Sequence, residues 1–416
     1  MNADLFARVQ GALDREFFVD VLREIIEVPT EVPLGPDTLI DADHPKLVEY
    51  VQDVLRPIME DAGIYNILEM PLNQVVVKMG SGSSGESLLI QAYTPTQHQN
   101  LMRDPFIARI ACVPELEADE GVEDPSGADH APHASHEPAI FGQGVSQNKV
   151  HQAAMITVIK AFVESEVPLE GMLYFAINNE GRSSHHCSEA IIAHLNPKPR
   201  YGILLTGTGM NITVANRGRV DVYVHVRGKA AHSSTPWLGH SAIDGANEVI
   251  NRIRAMQFSK THPDLGGQHA VPYQVVYSPV APHTLPGYAR ISVDRRLLPG
   301  DDIAEAVSEV RAAIGDMSPF EVEVEGGVYM LPAEVDPGSA VVQRLRESNV
   351  QVRGVEPELL YIPGAFDAGG LCAMGIPTVM WGASGGDGLL GDDWVTLRDG
   401  WDEVMTLCDL IANWLG

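Results

Sequence analysis

Metal binding is the first chemistry to test in this chain, because His130, His133 and His136 recur at a spacing of three. They sit in CVPELEADEGVEDPSGADHAPHASHEP (Cys112 to Pro138), which is acidic, poor in apolar residues and broken by Pro and Gly. Pro132 works against one helical face, and that composition reads as a solvated surface loop. Thiol chemistry is the second possibility. Cys112, Cys187, Cys372 and Cys408 are far apart with no CxxC, so they read as reduced thiols of a cytoplasmic protein. Charge is the third consideration. Lys and Arg number 28 against 56 Asp and Glu, a net charge of −28, which repels nucleic-acid phosphates and anionic lipid heads. An anionic substrate would therefore need a local set of arginines in a sheltered cleft.

The elements that must position any site alternate from the start. Met1 to Ile26 carries dense mixed charge, unlike a signal peptide, and Phe17, Phe18, Val21, Leu22, Ile25 and Ile26 have helical spacing. Helices are expected over Pro45–Ala62, Lys149–Val163 and Ser184–Leu195, with strands at Asn73–Met79, Leu88–Tyr93 and Met172–Ile177. That rhythm predicts an α/β fold, a mostly parallel sheet with helices on both faces. After Asn211 the pattern changes. RVDVYVHVR (Arg219–Arg227) alternates strictly, followed by helix (Ser241–Met256), strands (Tyr273–Pro279, Tyr288–Arg296), helix (Asp302–Ile314) and strand (Phe320–Glu325). The α/β rhythm then resumes, with a helix at Ser339–Ser348 and a strand at Thr378–Trp381. Residues 212–327 thus read as an α+β domain inserted between 1–211 and 328–416 of one α/β domain. No run approaches the roughly 20 apolar residues of a membrane span.

Within the insert, GKAAHSSTPWLGHSAIDGANEVI (Gly228–Ile250) and HTLPGYARISVDRR (His283–Arg296) resemble two signatures of the M20 metallopeptidase and amidohydrolase family. EVPT (Glu27–Thr30), LLIQAY (Leu88–Tyr93), GQGVSQNKV (Gly142–Val150), NNEG (Asn178–Gly181), GAFDAGG (Gly364–Gly370) and GIPTVMWG (Gly375–Gly382) follow the order of that family's motifs. The resemblance implies a peptidase-like catalytic domain with an inserted dimerisation domain, hence a homodimer or higher homo-oligomer.

The family's centre holds two zinc-like ions with two His, a bridging Asp and two further carboxylates. Read across that resemblance, most of these ligands are gone. Gln91-Ala92-Tyr93-Thr94 stands for G-H-x-D, Gln147 for the bridging Asp and Asn179 for the general-base Glu. Glu180 alone keeps its family identity. Thr206–Gly207 replaces the E-P-T ligand, and the C-terminal His position falls near Leu389, with no histidine after His283. Two divalent ions about 3.5–4 Å apart need anionic donors between them, and neutral amide oxygens bind them weakly. A family-type two-ion centre is not expected.

A rebuilt mononuclear site is the alternative: His98, Glu180 and Gln147 with water, open to one labile divalent transition metal such as Mn, Zn or Co. His185 and His186 stand close behind Glu180. Arg182, Arg217 and Arg296 lie on segments that border the cleft in the family and suit a carboxylate or nitro group, although each would equally serve a salt bridge. His232 in AHSS resembles the histidine that reaches across the family dimer to steady developing negative charge. Glu180 and His232 are therefore the catalytic candidates. The expected reaction is hydrolysis of a non-peptide C–N bond in an activated small substrate. Deamination of an electron-poor, anionic aromatic amine such as 5-nitroanthranilate fits a departed ligand set with a labile metal. A deacylase of another acyl-amino compound, or a metal-free binding protein on the same frame, are the other readings.

Overall fold

The computed structural model describes residues 3–32, 40–96, 102–113, 137–180, 184–386 and 392–416. His98, Arg182, Leu389 and the His130/His133/His136 tract lie outside them. The chain divides into two compact units, the first of Met1–Ala215, Glu334–Tyr361 and Gly370–Gly416, the second of Asn216–Ala333 and Ile362–Gly369.

The first unit is built on a sheet whose strands run in the order Ile67–Glu69, Val75–Met79, Met172–Asn178, Ser87–Tyr93, Tyr201–Leu205 and Thr378–Trp381. The last four are parallel, while Val75–Met79 pairs antiparallel at one side. The parallel strands are buried almost throughout, which explains their continuous apolar runs. Helix Val150–Glu164 is buried on nearly every side, so its sequence shows apolar content rather than a stripe. Helix Arg15–Ile26 is capped by the Asp14 carboxylate, which accepts from the Glu16 and Phe17 amides at 2.9 and 3.0 Å. It buries Phe18, Val21, Leu22, Ile25 and Ile26, one face of a 3.6-residue period. The helical span at the N-terminus is broken, with Ala3–Gln10 forming a separate helix.

The segment expected as one helix, Pro45–Ala62, is helical in three pieces, with a π turn over Tyr50–Leu55 between Pro45–Glu49 and Arg56–Asp61. Pro57 is the physical reason. It lacks an N–H for the Asp53 carbonyl and its ring crowds that carbonyl, and the widened turn relieves both.

The second unit is an antiparallel sheet in the order His269–Ser278, Tyr288–Leu297, Ile212–Arg227, Glu321–Met330. Helices Ala242–Arg254 and Ile303–Ile314 supply the other half of its core. Val220, Val222, Val224 and Val226 are fully buried, as strict alternation demands. Each such valine is worth ~1.5–3 kcal/mol, so a one-residue slip of this strand would expose the whole set. Strand Ile212–Arg227 is unbroken across the start of the unit at Asn216. The change of rhythm therefore begins upstream of the change of unit.

Candidate active site

Parallel strands bind ligands outside their carboxyl ends. In the first unit that edge is fixed by register: Tyr93 stands opposite Asn178, and Leu205 opposite Trp381. The residues that follow are Thr94, Asn179, Glu180, Thr206 and Gly382. The edge thus collects one carboxylate among amides and hydroxyls.

Those neutral groups form a network. Gln91 Nε2 donates to Ser188 Oγ at 3.4 Å and Tyr93 Oη at 3.3 Å, and Asn178 Nδ2 donates to the same Ser188 oxygen at 3.0 Å. Asn178 Oδ1 accepts the Glu180 amide at 2.7 Å, and Glu180 Oε2 accepts the Cys187 amide at 2.7 Å. Asn179 has a structural task that the sequence did not disclose. Its Nδ2 donates to the carbonyls of Leu72 and Asn73, consecutive non-glycine residues held at φ 59° and 54°. Such strain gathers at functional sites and persists only when the surroundings fix it. Among the described residues, Gln91 Oε1 and Asn179 Oδ1 are buried acceptors with no donor. Each calls for an N–H or O–H from a ligand or water.

Gln147 lies on a π turn, Val145–Lys149, that leads into helix Val150–Glu164. Gly144 opens the turn at φ 81°, a left-handed conformation suited to glycine. The buried Asp393 carboxylate anchors it, accepting from the Gly144 amide at 2.6 Å, the Ser146 amide at 3.0 Å and Ser146 Oγ at 2.7 Å. Burial pushes Asp393 up to about 6. Lys149 closes the turn, fully buried, its Nζ donating to the carbonyls of Ile26 and Val28 at 3.2 and 2.9 Å, and burial lowers it to about 7.

Between pH 7 and 10.5 the unfolded chain keeps a proton on Lys149 that the folded chain has given up, so this group's contribution to stability rises with pH. Wild-type Tm should therefore gain on that of Lys149→Met as pH climbs from 7 to 10. A constant gap between the two melting curves would refute this.

The donor set decides what the edge can hold. Among the described residues, no group of three or more His, Cys, Asp or Glu stands where it could grip a metal ion. A two-ion centre does not fit them. The proposed mononuclear set includes His98, which lies outside the described residues. His185 is buried at φ 64°, its ring against Gly370, where a Cβ would come within 2.5 Å of Cγ. His186 is exposed and 3.8 Å from the Glu189 carboxylate.

The remaining candidates belong to the second unit. Arg217 spends its guanidinium internally: Nε donates to the Leu265 carbonyl at 2.8 Å, and one Nη lies 3.1 Å from His269 Nδ1. Arg296 donates to Asp294 at 2.8 Å. Desolvation, then the neighbouring Arg296 charge, lowers Arg217 from its usual range. Sequence shows the type of a side chain but not its partner, which is why both read equally as a clamp for a substrate anion or as half of a salt bridge.

His232 is exposed on a short ribbon, Ala231–His232 paired with Thr284–Leu285. The Ser234 amide donates to its Nδ1 at 3.1 Å, with Ser234 Oγ 2.7 Å away. A ring nitrogen that accepts an amide N–H carries no proton in the neutral ring. Nε2 therefore holds it and is a donor for an oxyanion.

Residues 214–320 match the family model of the M20 peptidase dimerisation domain. An M20 family metallo-carboxypeptidase from Sulfolobus solfataricus superposes with a TM-score of 0.71, covering 95% of this chain and 98% of its own at 16% identity. The chain has the M20 peptidase fold. An amidase of the hydantoinase/carbamoylase family from Burkholderia vietnamiensis superposes with a TM-score of 0.65, covering 97% and 98% of the two chains at 14% identity. In sequence, the probable carboxypeptidase of Paracoccidioides lutzii is 28% identical over 202 residues, 45% of this chain and 45% of its own. The chain spans about half the length of the curated relatives it matches. Among the described residues no helix is long and apolar enough to cross a membrane.

An M20 dimerisation domain makes a homodimer the expected assembly. Edge strand His269–Ser278 turns Val271, Tyr273, Val275 and Tyr277 outward, an exposed apolar row. Edge lysines block strand addition, so Tyr273→Lys with Val275→Lys should sediment as a monomer at micromolar concentration. Unchanged sedimentation would place the interface elsewhere.

Proposed function

We propose that the chain is a hydrolase of C–N bonds in a small, activated substrate, with Glu180 as general base and His232 of the partner subunit as oxyanion donor. The observation that carries the reading is the makeup of the sheet's carboxyl edge. On a fold shared with peptidases and amidases, it keeps one carboxylate, Glu180, among buried amide oxygens that await donors. Glu180 would take a proton from water as its oxygen attacks the carbon. The developing negative charge would meet the Nε2–H of His232. Gln91 Oε1 and Asn179 Oδ1 would accept from the substrate's amine.

With the anionic ligand set gone, the substrate must bring its own electrophilicity. An electron-poor aromatic amine such as 5-nitroanthranilate does so. Water adds at the amine-bearing carbon, the ring and nitro group hold the charge, and protonated nitrogen leaves as ammonia, giving the phenol. Hydrolysis of an acyl-amino compound is the second reading, favoured by the carboxypeptidase and amidase relatives. The family's metal dependence extends to this chain as a proposal: one labile Mn, Zn or Co, with Glu180, His98 and Gln147 as the candidate ligands, in which case the ion rather than Glu180 would activate the water.

The test is a release screen with aromatic amines and acyl-amino acids, run with and without those ions. Ammonia from the former supports deamination, while free amino acid from the latter supports the amide reading. Binding without turnover of either class would overturn both and leave a binding protein.

A further inference from the structure

The face of the second unit's sheet turned away from its two helices carries Tyr223, His225 and Arg227, which alternate with the buried valines of strand Ile212–Arg227. Register sets Tyr288 opposite Arg227 and Glu325 opposite Tyr223. Each therefore lies one diagonal step from His225, on either side of it and within reach of long side chains. Both steps are bridged. The Tyr288 hydroxyl lies 2.7 Å from His225 Nδ1, and His225 Nε2 lies 2.9 Å from Glu325 Oε1. A carboxylate only accepts, so Nε2 carries the proton of the neutral ring. Nδ1 keeps a lone pair, and the phenol donates to it. Arg227 sets its guanidinium carbon 5.6 Å from the Tyr288 ring centroid, a fixed cation beside the phenol. Solvent reaches this line of groups: the Glu325 side chain is 54% exposed and Tyr288 is half-buried. Hydroxyl, base and orienting carboxylate in that order are the parts of an activated nucleophile.

We propose that Tyr288 is a nucleophile with His225 as its base and Glu325 as the group that orients the base, a second reactive centre that takes acyl groups from activated esters. As the phenol oxygen bonds to the acyl carbon, its proton passes to His225 Nδ1. The ester C–O bond then breaks, and the departing aryl oxide takes that proton. The products are an acyl-tyrosine and a free phenol. This centre shares no residue with Glu180 and His232, and it stands whether or not the hydrolase reading does.

The experiment treats the full chain with p-nitrophenyl acetate and maps acetylated residues against time by mass spectrometry. Tyr288 should be acetylated at least about tenfold faster than Tyr65, which is 75% exposed and would lead if exposure alone ruled. His225→Asn should slow Tyr288 about 100-fold, the lower range for a positioned base, with Tyr65 unchanged. Glu325→Lys offers Nε2 a donor in place of an acceptor, which moves the ring proton to Nδ1 and removes the base. It should slow Tyr288 by about tenfold or more. Tyr65 reacting ahead of Tyr288 in the wild type would overturn the proposal and leave a cross-strand contact. So would a Tyr288 rate unmoved by Glu325→Lys, the variant that decides the matter should His225→Asn fail to fold.

Discussion

Glu180→Gln should lose about 10²- to 10⁴-fold in kcat/KM, the usual cost of removing a positioned base. Its melting curve should stay that of the wild type. Fold and function separate here because Gln keeps an oxygen for the Cys187 amide, which Glu180 Oε2 accepts at 2.7 Å. Asn178 still holds the backbone through the residue-180 amide, at 2.7 Å. Only the ability to take a proton disappears. Rates near wild type on the substrate found by release screening would remove Glu180 from the chemistry. A collapsed Tm would make it a structural residue.

The second large effect concerns two inactive proteins that become active when mixed. If His232 serves the neighbouring subunit, Glu180→Gln and His232→Ala homodimers each lack a complete site. Random exchange puts half the chains' pairings into mixed dimers, and each of those has one site with both groups intact. Activity should return to about a quarter of wild type per site. Exchange is verified with two affinity tags. No recovery after verified exchange would mean that His232 acts in its own chain or not at all.

Much of the fold was legible because burial pattern and local rule agree. Val220 to Val226 alternate in sequence and in burial, and Asp302 caps its helix by accepting the Glu305 amide at 2.9 Å. Helix Ile303–Ile314 and strand Thr378–Trp381 fall where periodicity puts them. The site was less legible, since its chemistry lies in pairings distant in sequence. Asn179 is spent on the strained Leu72–Asn73 turn, 106 residues away for its Asn73 bond. Arg217 is spent on Leu265, and Asp393 reaches Ser146 from 247 residues off. Position in a motif led to the expectation that most family ligands are replaced. It could not tell what the replacements do instead.

The division of the chain also sets an order of synthesis. The second unit is nearly continuous, Asn216–Ala333 with the short Ile362–Gly369 segment, so the ribosome can release almost all of it as one piece. The first unit must wait for helix Leu397–Leu415, which is buried along most of its length. That helix supplies Glu403 to His151, at 2.8 Å, and the Leu415 carbonyl to the Gly171 amide, at 2.7 Å. Until its last turns emerge, the helix that carries His151 has an open flank and the buried imidazole has no carboxylate. A nascent chain stalled before Leu397 would thus present a finished second unit beside a first unit with exposed core. Quality-control proteases would recognise that state, and a truncation there is a loss of protein rather than a loss of one residue's chemistry.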